Sequence, residues 1–515
     1  MSSISEDLLI NIDPRHAEGQ HYINIKYGYF ILFLSGLHII WSQSIKYIYL
    51  RKWSQSGSNI NIWKKISSIP IWVTVIIWSL IYFILFPFHI TEWSENYTTA
   101  IKRSGRIAYA LIPLDIFLVL RPSNVIGFKI GYYLESLNLH KWISRLIVLA
   151  AVVHGCGFTY KWIIDGTILE KPFVILNFLG VVVFLFAVTL VIISIRPIRQ
   201  RIYQVFYILH DFTAWIFVIL IAFHARPGVL WIAVLNSLLF AVQIYQRFFR
   251  AHYVHNIQVL GKSHSLQIIR IERPPDFPST FLPGSHIRLT YSNLNYKSWF
   301  LPTHPFTVVS NSDSNLIELI VSPTVNFQLN SSLIYSLTGP FPSLPKPFFE
   351  TVQNLNIICG GSGISFGLPV FKYLANSPNI KSLNLIWCIR NKKDLQILEN
   401  FFEHLPESLH IYITGDTGSK EETLFDEESE ELLFGSNSHQ EENIELDQLD
   451  KPTKEKTSNI HYNRPDFNEV FSSFHSTGDS DKQWLVACGP SDLVNDAHAW
   501  SRKNNVQFFS EVYEM

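Results

Sequence analysis

The sequence predicts a multi-pass α-helical membrane bundle of about seven spans, followed by a small antiparallel β-barrel and an α/β domain. Three observations carry this. Hydrophobic residues make up 48% of the 515 positions and charged residues only 16%, against about 25% charged in soluble chains, and the shortfall lies almost entirely before residue 250. From about 251 the pattern changes to short alternating strands separated by Pro/Gly turns. From about 354 apolar strands alternate with helical stretches, the signature of a parallel sheet.

Seven apolar runs are candidate membrane helices, at 27–49, 69–90, 106–120, 141–163, 173–195, 203–224 and 229–247. Most approach the ~20 residues that cross a bilayer; the third is short and holds Pro113 and Asp115. Basic residues are dense in alternate loops: Lys46, Arg51, Lys52, Lys64 and Lys65; Arg121, Lys129 and Lys141; Arg196, Arg199 and Arg201; Arg247 and Arg250. The opposite loops hold Lys102, Arg103 and Arg106, then Lys161 and Lys171, then Arg226. The positive-inside rule places the richer set, and everything after 250, in the cytosol. Asn96-Tyr97-Thr98 is then a glycosylation sequon on the outer side. The polar segment 1–24 lacks a basic start, apolar core and cleavage site, so no cleaved signal peptide is expected and the first span directs insertion.

In the second half, Tyr253 to Ile271, His286 to Tyr291 and Leu316 to Val321 read as barrel strands, giving a domain over 251–350. Asn354 to Cys359 and Ser382 to Ile389 read as buried parallel strands of a domain over 351–515. Residues 421–458, with Asp426-Glu427-Glu428-Ser429-Glu430-Glu431, are acidic and poor in aromatics, and are expected to be a disordered insertion. A net charge of -1 gives no electrostatic footprint for nucleic acid. Cys156, Cys359, Cys388 and Cys488 are too scattered for a metal or redox motif, and reduced thiols fit better than a disulfide framework.

The histidines carry the chemistry. His140 and His154 lie on span four, His210 and His224 on span six, each pair 14 positions apart. Fourteen residues rise about 21 Å and make close to four whole turns, so both members of a pair face one way. Spans four and six are separated by one crossing and run parallel. His140 is therefore level with His210, nearer the cytosol, and His154 with His224. Two imidazoles at one depth can ligate one haem iron from both faces, and two such levels hold two haems within a ~30 Å core. With 19 histidines in 515 residues, about 0.7 pairs at this spacing arise by accident. His461 and His475 share it in the hydrophilic half and are assigned no role. Two pairs on parallel apolar helices, where ionisable groups are costly and usually functional, are another matter. Asp115 could relay protons, hold a metal, or be a hydrogen-bonded structural carboxylate, the last being the plainest reading.

Three motifs stand in the second half. His304-Pro305-Phe306-Thr307 follows Pro283-Gly284-Ser285 by about twenty residues; its phenyl ring could pack on a flavin and the Thr307 hydroxyl bond to it, although an ordinary barrel turn would look the same. Cys359-Gly360-Gly361-Ser362-Gly363-Ile364-Ser365 follows a strand and opens a helix, the setting in which backbone amides receive phosphate. Cys488-Gly489-Pro490 ends another strand, where Cys488 could reach a nicotinamide or be a buried thiol.

In this order the motifs resemble the ferric reductase / NADPH oxidase superfamily of transmembrane flavocytochromes b. The segment Gly105 to Pro122, with Tyr109-Ala110-Leu111-Ile112-Pro113-Leu114 and Leu120-Arg121-Pro122, then His140-Lys141-Trp142 and His154-Gly155, is most similar to the fungal probable metalloreductases of the "altered inheritance of mitochondria" branch. The resemblance implies a ferredoxin-reductase-like cytosolic module and cofactors of two haem b, FAD and NADPH. It implies haem-iron ligation by His140, His154, His210 and His224, and FAD contacts by His304, Pro305, Phe306 and Thr307, with Tyr513 covering the flavin. NADPH contacts fall to Gly360, Gly361, Ser362, Gly363, Ile364, Ser365, Cys488, Gly489 and Pro490, and Arg464 pairs with the 2′-phosphate although Asn463 replaces a glycine before it. Ser322-Pro323 stand where relatives carry a basic flavin-phosphate contact. Phe158 stands where NADPH oxidases carry a further histidine, which favours Fe³⁺ or Cu²⁺ over oxygen as acceptor. The implied activity is an NADPH-dependent ferric/cupric reductase of the plasma membrane or endoplasmic reticulum, with a homo-oligomer left open. The rivals are a superoxide-forming NADPH oxidase, a non-catalytic haem scaffold and a transporter.

Overall fold

Apolar runs that no water-facing surface could carry become long helices in the first half of the chain. The computed structural model describes residues 18–54, 60–90, 92–121, 133–323, 329–331, 333–415, 459–471 and 482–512; the acidic segment 421–458, His475 and Tyr513 lie outside them. Two compact units emerge: residues up to 253 with 288–304 and 335–341, and the remainder.

The first unit contains α1 (Glu18–Ser54), α2 (Ile60–Ser67), α3 (Ile71–Leu85), α4 (Trp93–Val119), α5 (Tyr133–Ile164), α6 (Ile175–Ser194), α7 (Arg196–Arg201), α8 (Tyr203–His224) and α9 (Leu230–Ile244). Among the described residues five helical segments are long and apolar enough to cross a membrane: Asn24–Ser54, Glu135–Ile164, Ile175–Ser194, Tyr203–His224 and Leu230–Phe249. The other two expected spans differ. Ile71–Leu85 is apolar but has 15 residues. The expected 106–120 span is the second half of a 27-residue helix, α4, which carries Lys102, Arg103, Arg106 and Asp115.

The reason is packing. α4 lies against α1, α5 and α9, and Ala100, Ala110, Leu111 and Leu114 are 0% exposed, so protein rather than lipid surrounds it. Arg103 and Arg106, expected as outer-loop charges, are buried inside this helix. Arg103 donates to the carbonyls of Leu85 (2.8 Å), Phe86 (3.2 Å) and Phe88 (2.5 Å) and to Asn24 Oδ1 (3.3 Å). A cation thus satisfies the carbonyls that the end of α3 leaves without intrahelical partners. Asn96 of the sequon sits in the first turns of α4, half-buried. His38 is half-buried with its ring edge-on to Trp78 at 6.0 Å.

The expected strand Tyr253 to Ile271 is three strands, β1 (His252–Val254), β2 (Ile257–Lys262) and β3 (Gln267–Glu272). Asn256 takes a positive φ of 60° after β1, and the polar Ser263-His264-Ser265 turn closes a hairpin through Ser263 N–H to Leu266 O at 2.8 Å. With β4 (His286–Tyr291), β5 (His304–Thr307), β6 (Leu316–Val321) and β7 (Tyr335–Phe341) they make two sheets, ordered β1-β7-β4-β5 and β2-β3-β6. A bridge between Val308 and Leu319 joins the strand end after β5 to β6.

The α/β domain is a parallel sheet of β8 (Asn354–Gly360), β9 (Ser382–Ile389), β10 (Leu409–Ile413), β11 (Ile460–His461), β12 (Gln483–Gly489) and β13 (Gln507–Val512), in the order β11-β10-β9-β8-β12-β13. Every residue of β8 is buried, as in a strand covered on both faces; the polar Asn356 among them accepts from Asn384 Nδ2 at 2.8 Å. The chain runs outward from β8 to β11, then returns to add β12 and β13 on the other side. The order therefore reverses between β8 and β12, and crevices at such reversals are where open α/β sheets bind ligands.

Asp394 (2% exposed) ties the β2–β3 hairpin to this domain. Its carboxylate accepts from Ser263 Oγ (2.6 Å), Ser265 N–H (2.9 Å) and Ser265 Oγ (2.7 Å). Asp394→Ala strands three donors and should cost about 2–3 kcal/mol, seen as a loss of several degrees in thermal unfolding followed by tryptophan fluorescence. Glu318→Gln, which breaks the part-exposed pair with Arg270, should cost under about 1 kcal/mol.

Candidate functional site

α5 and α8 run parallel because α6 returns the chain between them, and the structure brings their histidines together level by level. The rings of His140 and His210 are 6.1 Å apart between centroids, those of His154 and His224 6.0 Å. Two imidazoles bonded through nitrogen to one ion at about 2 Å have centroids about 6 Å apart. All four rings are half-buried. α5 packs on α4 and α8 on α6, while α5 and α8 do not pack closely on each other, so the facing rings line a gap.

The ring nitrogens are oriented for ligation. His154 Nδ1 lies 2.9 Å from Ile101 O and His224 Nδ1 2.7 Å from Leu176 O, while His140 Nδ1 lies 2.9 Å from Asp115 Oδ1. Nδ1–H donating to an oxygen fixes the tautomer whose Nε2 carries the ligating lone pair. Two helix glycines make these contacts possible: a Cβ on Gly105 would meet His154 Nδ1 at 2.7 Å, and one on Gly180 would meet His224 Cε1 at 2.5 Å. Among the described residues no group of three or more His, Cys, Asp or Glu could hold a bare metal ion. Paired imidazoles with no third protein donor suit a metal whose equatorial ligands come from a macrocycle. Arg106, close enough to His154 for its charge to act there, has Nη1 buried without a hydrogen-bond partner; a haem carboxylate would satisfy it. The donor set fits two haems.

Sequence reasoning missed the supports of these rings. Asp115 is a hydrogen-bonded carboxylate: besides facing His140 it accepts from Ser144 Oγ at 2.8 Å. The glycine notches and Arg106 carry no periodic signal, although Gly105 and Asp115 both fall in the segment that drew the family resemblance.

His304, Pro305, Phe306 and Thr307 form β5 itself rather than a turn after a strand. Thr307 is buried, His304 and Phe306 half-buried, and Pro305 exposed. Burial first, and the Arg288 guanidinium second, push His304 down to about 4, so it is neutral near pH 7. Ser322 is half-buried at the end of β6, followed by exposed Pro323. β13, which leads toward Tyr513, ends with Val512 beside Gly489.

Gly360 to Gly363 and Cys488 to Pro490 meet at the sheet reversal. Cys359 and Cys488 are direct neighbours across β8 and β12. A Cβ on Gly363 would lie 2.4 Å from Cys488 O, and one on Gly360 2.8 Å from Pro490 Cδ. Gly489, at φ +143°, has backbone that L side chains rarely adopt, and a Cβ there would meet Gly360 N at 2.9 Å. Trp387 Nε1–H holds the loop by donating to Gly361 O at 2.9 Å. The helix Ile364–Ala375 starts directly after this loop, so its unpaired N–H groups open on the crevice. Ile364 (0% exposed), Ser365 (4%) and Cys488 (0%) are buried, which leaves their backbone rather than their side chains for a ligand. Burial also pushes the Cys388 thiol up to about 12 and that of Cys359 further, so neither is a reactive thiolate. Arg464 is exposed just beyond the carboxyl end of β11.

Comparison with known proteins agrees with this division. The family models "Ferric reductase like transmembrane component", "FAD-binding domain" and "Ferric reductase NAD binding domain" match residues 104–221, 251–338 and 352–501. The fold and its sites thus define a membrane-spanning oxidoreductase of the ferric reductase class, with FAD- and NAD-binding domains following its helices. A protein named probable metalloreductase AIM14 from Scheffersomyces stipitis is 48% identical over 98% of both chains. The proteins of that name from Candida dubliniensis (41%, 98% of this chain and 99% of that one) and from a Saccharomyces cerevisiae strain (30%, 99% and 100%) extend the series. The chain belongs to the AIM14 family of probable metalloreductases. Among solved structures, the CS-b5R domains of human Ncb5or align with 50% of this chain and 69% of theirs, at 13% identity and a TM-score of 0.34.

Two outcomes follow. Gly489→Ala should close the crevice: nicotinamide-nucleotide affinity, measured by equilibrium titration, should fall at least about tenfold with flavin content unchanged. His304, held at about 4 when folded against an ordinary value of about 6.5, binds its proton better in the unfolded chain. Its stability contribution is whole above about pH 6.5 and is lost as the pH falls toward 4. Unfolding midpoints between pH 6.5 and 4 should drop less steeply in His304→Gln than in the wild type.

Proposed function

We propose that this protein takes reducing equivalents from cytosolic NADPH and delivers them one at a time across the membrane to extracytosolic Fe³⁺ or Cu²⁺. The observation that carries the reading is the two-level arrangement of imidazole pairs, at 6.1 and 6.0 Å between centroids, one level about 21 Å of helix from the other. When bound, FAD would accept the hydride and the two haems would pass single electrons.

Everything else is the work of the chain. The N–H groups that open the helix Ile364–Ala375 and the Gly360–Gly363 turn receive the nucleotide pyrophosphate. Arg464, an exposed cation at the carboxyl edge of the sheet, selects NADPH over NADH through the 2′-phosphate. Phe306 and Thr307 hold the flavin, and Tyr513 covers it. His140 with His210, and His154 with His224, would hold a cytosolic-side and an outer haem. The boundaries 25–250, 251–350 and 351–515 separate the haem, flavin and nucleotide functions. α3 and α4 complete seven crossings, α4 shielded from lipid by its neighbours. The membrane is the plasma membrane or the endoplasmic reticulum, with the module after 250 in the cytosol.

Phe158 favours metal over oxygen as acceptor. Its ring stands edge-on to His154 at 5.1 Å, one turn farther along α5. It offers no proton or hydrogen bond to an oxygen species there, whereas electron transfer to a metal complex at the outer surface needs neither.

A reduced-minus-oxidised spectrum of the purified protein should show two six-coordinate b haems, falling to one in His154→Ala. Metal reduction should continue in the presence of superoxide dismutase; its abolition would mean that superoxide is the true product.

A further inference from the structure

The two imidazole levels stand in opposite electrostatic surroundings. At the level of His140 and His210, the carboxylate of Asp115 (side chain 15% exposed) faces His140 Nδ1 at 2.9 Å, and its charge also reaches His210. Ser144 holds this arrangement in place: its Oγ lies 2.8 Å from both Asp115 Oδ2 and His140 O, which share its single proton. Lys141, exposed, is the cation nearest His140. At the other level both Nδ1 atoms meet neutral backbone carbonyls, of Ile101 and Leu176, and the charges felt by His154 are the cations Arg106 and Lys102. Among the described residues His140 is the one ligand of the four whose ring pairs with a carboxylate.

A carboxylate oxygen 2.9 Å from Nδ1 raises the electron density the imidazole offers through Nε2, and a negative charge beside an iron in a low-dielectric span disfavours adding an electron. Cations beside the outer level act in the opposite sense. We infer that Asp115 is a positioning residue that makes the cytosolic-side haem the weaker electron acceptor of the two, so that one electron moves downhill from the inner iron to the outer one. No proton and no third reactant enter that transfer. The inference rests on the haem assignment proposed above and adds a direction to it.

The test is spectroelectrochemical titration of the full-length protein in detergent, with haem counted separately as the pyridine haemochrome. Wild type should show two haems with resolved midpoints. Asp115→Asn keeps a hydrogen-bond acceptor but removes the charge. It should retain two haems and move the lower midpoint upward by about tenfold in the one-electron equilibrium, which is 59 mV; Asp115→Glu should restore it. In His154→Ala the lower midpoint should be the one that remains. Two haems with both midpoints unmoved in Asp115→Asn, or a shift confined to the midpoint that His154→Ala removes, overturns the proposal. Haem loss in Asp115→Asn supports it if Asp115→Glu restores the haem, and otherwise reduces Asp115 to a folding role and overturns it. A wild type without b haem would instead sink the haem assignment itself.

Discussion

The structure depends on one geometric constraint: two parallel helices must present imidazoles at the same two depths. Fourteen residues is close to a whole number of turns, so α5 and α8 can each offer two rings on one face only at spacings of this kind. That requirement propagates outward. α6 must cross back between them, and it must come close enough at Gly180 for His224 to reach the Leu176 carbonyl. α4 must do the same at Gly105 for His154 and Ile101. The gap between α5 and α8 cannot then be closed by their own side chains, so the bundle is held by α4 packed on α1, α5 and α9 and by α6 packed on α8.

The consequences for α4 explain its composition. It is the most polar of the long helices and also the most buried, a combination that lipid forbids unless every charge finds a partner. Arg103 finds the carbonyls at the end of α3, Asp115 finds Ser144 and His140, and Ser104 donates to Ala150 O at 2.8 Å and shares a 2.8 Å contact with Tyr82 Oη. Two atoms of these charged groups lack a hydrogen bond among the described residues, Arg106 Nη1 and Asp115 Oδ1, the latter in an ion pair with His140. A buried donor left in that state is costly, which makes Arg106 Nη1 a stronger pointer to an anionic group nearby than any motif in the helix.

The histidine pairs and the glycine-rich turns were legible in the sequence because periodicity and strand–turn–helix order are local properties of the chain. The rest was not. Counting Arg103 and Arg106 as loop charges assumed that a charged stretch lies outside the membrane, whereas their partners are carbonyls and packing surfaces contributed by other helices. The run from Tyr253 to Ile271 reads as one strand on the apolar and β-branched residues of its two ends; the backbone turn at Asn256 and the polar Ser263–Leu266 turn divide it. Ile364 and Ser365 matched a nucleotide motif by position, yet their side chains belong to the core. The pairing of His140 with Asp115 joins residues 25 positions apart on different helices, and no spacing rule reaches that far.

The two halves of the chain solve related problems by different means. In the α/β domain the site is made of backbone: the β8–β12 reversal places two glycine turns so close that a Cβ at Gly363 would strike Cys488 O, and amides rather than charges face the crevice. That suits a ligand which arrives and leaves, because backbone dipoles hold phosphate without the strong desolvation debt of a buried ion pair. In the bundle the site is made of side chains whose second nitrogens are tied to the protein, which suits a group that stays. Within it the bonds differ in charge, two to neutral carbonyls and one to a carboxylate. In a medium where an unneeded buried charge is expensive, holding Asp115 beside His140 has to be justified by something a carbonyl could not supply. Orientation alone could be had from a carbonyl, as His154 and His224 demonstrate; what the carboxylate adds is its field.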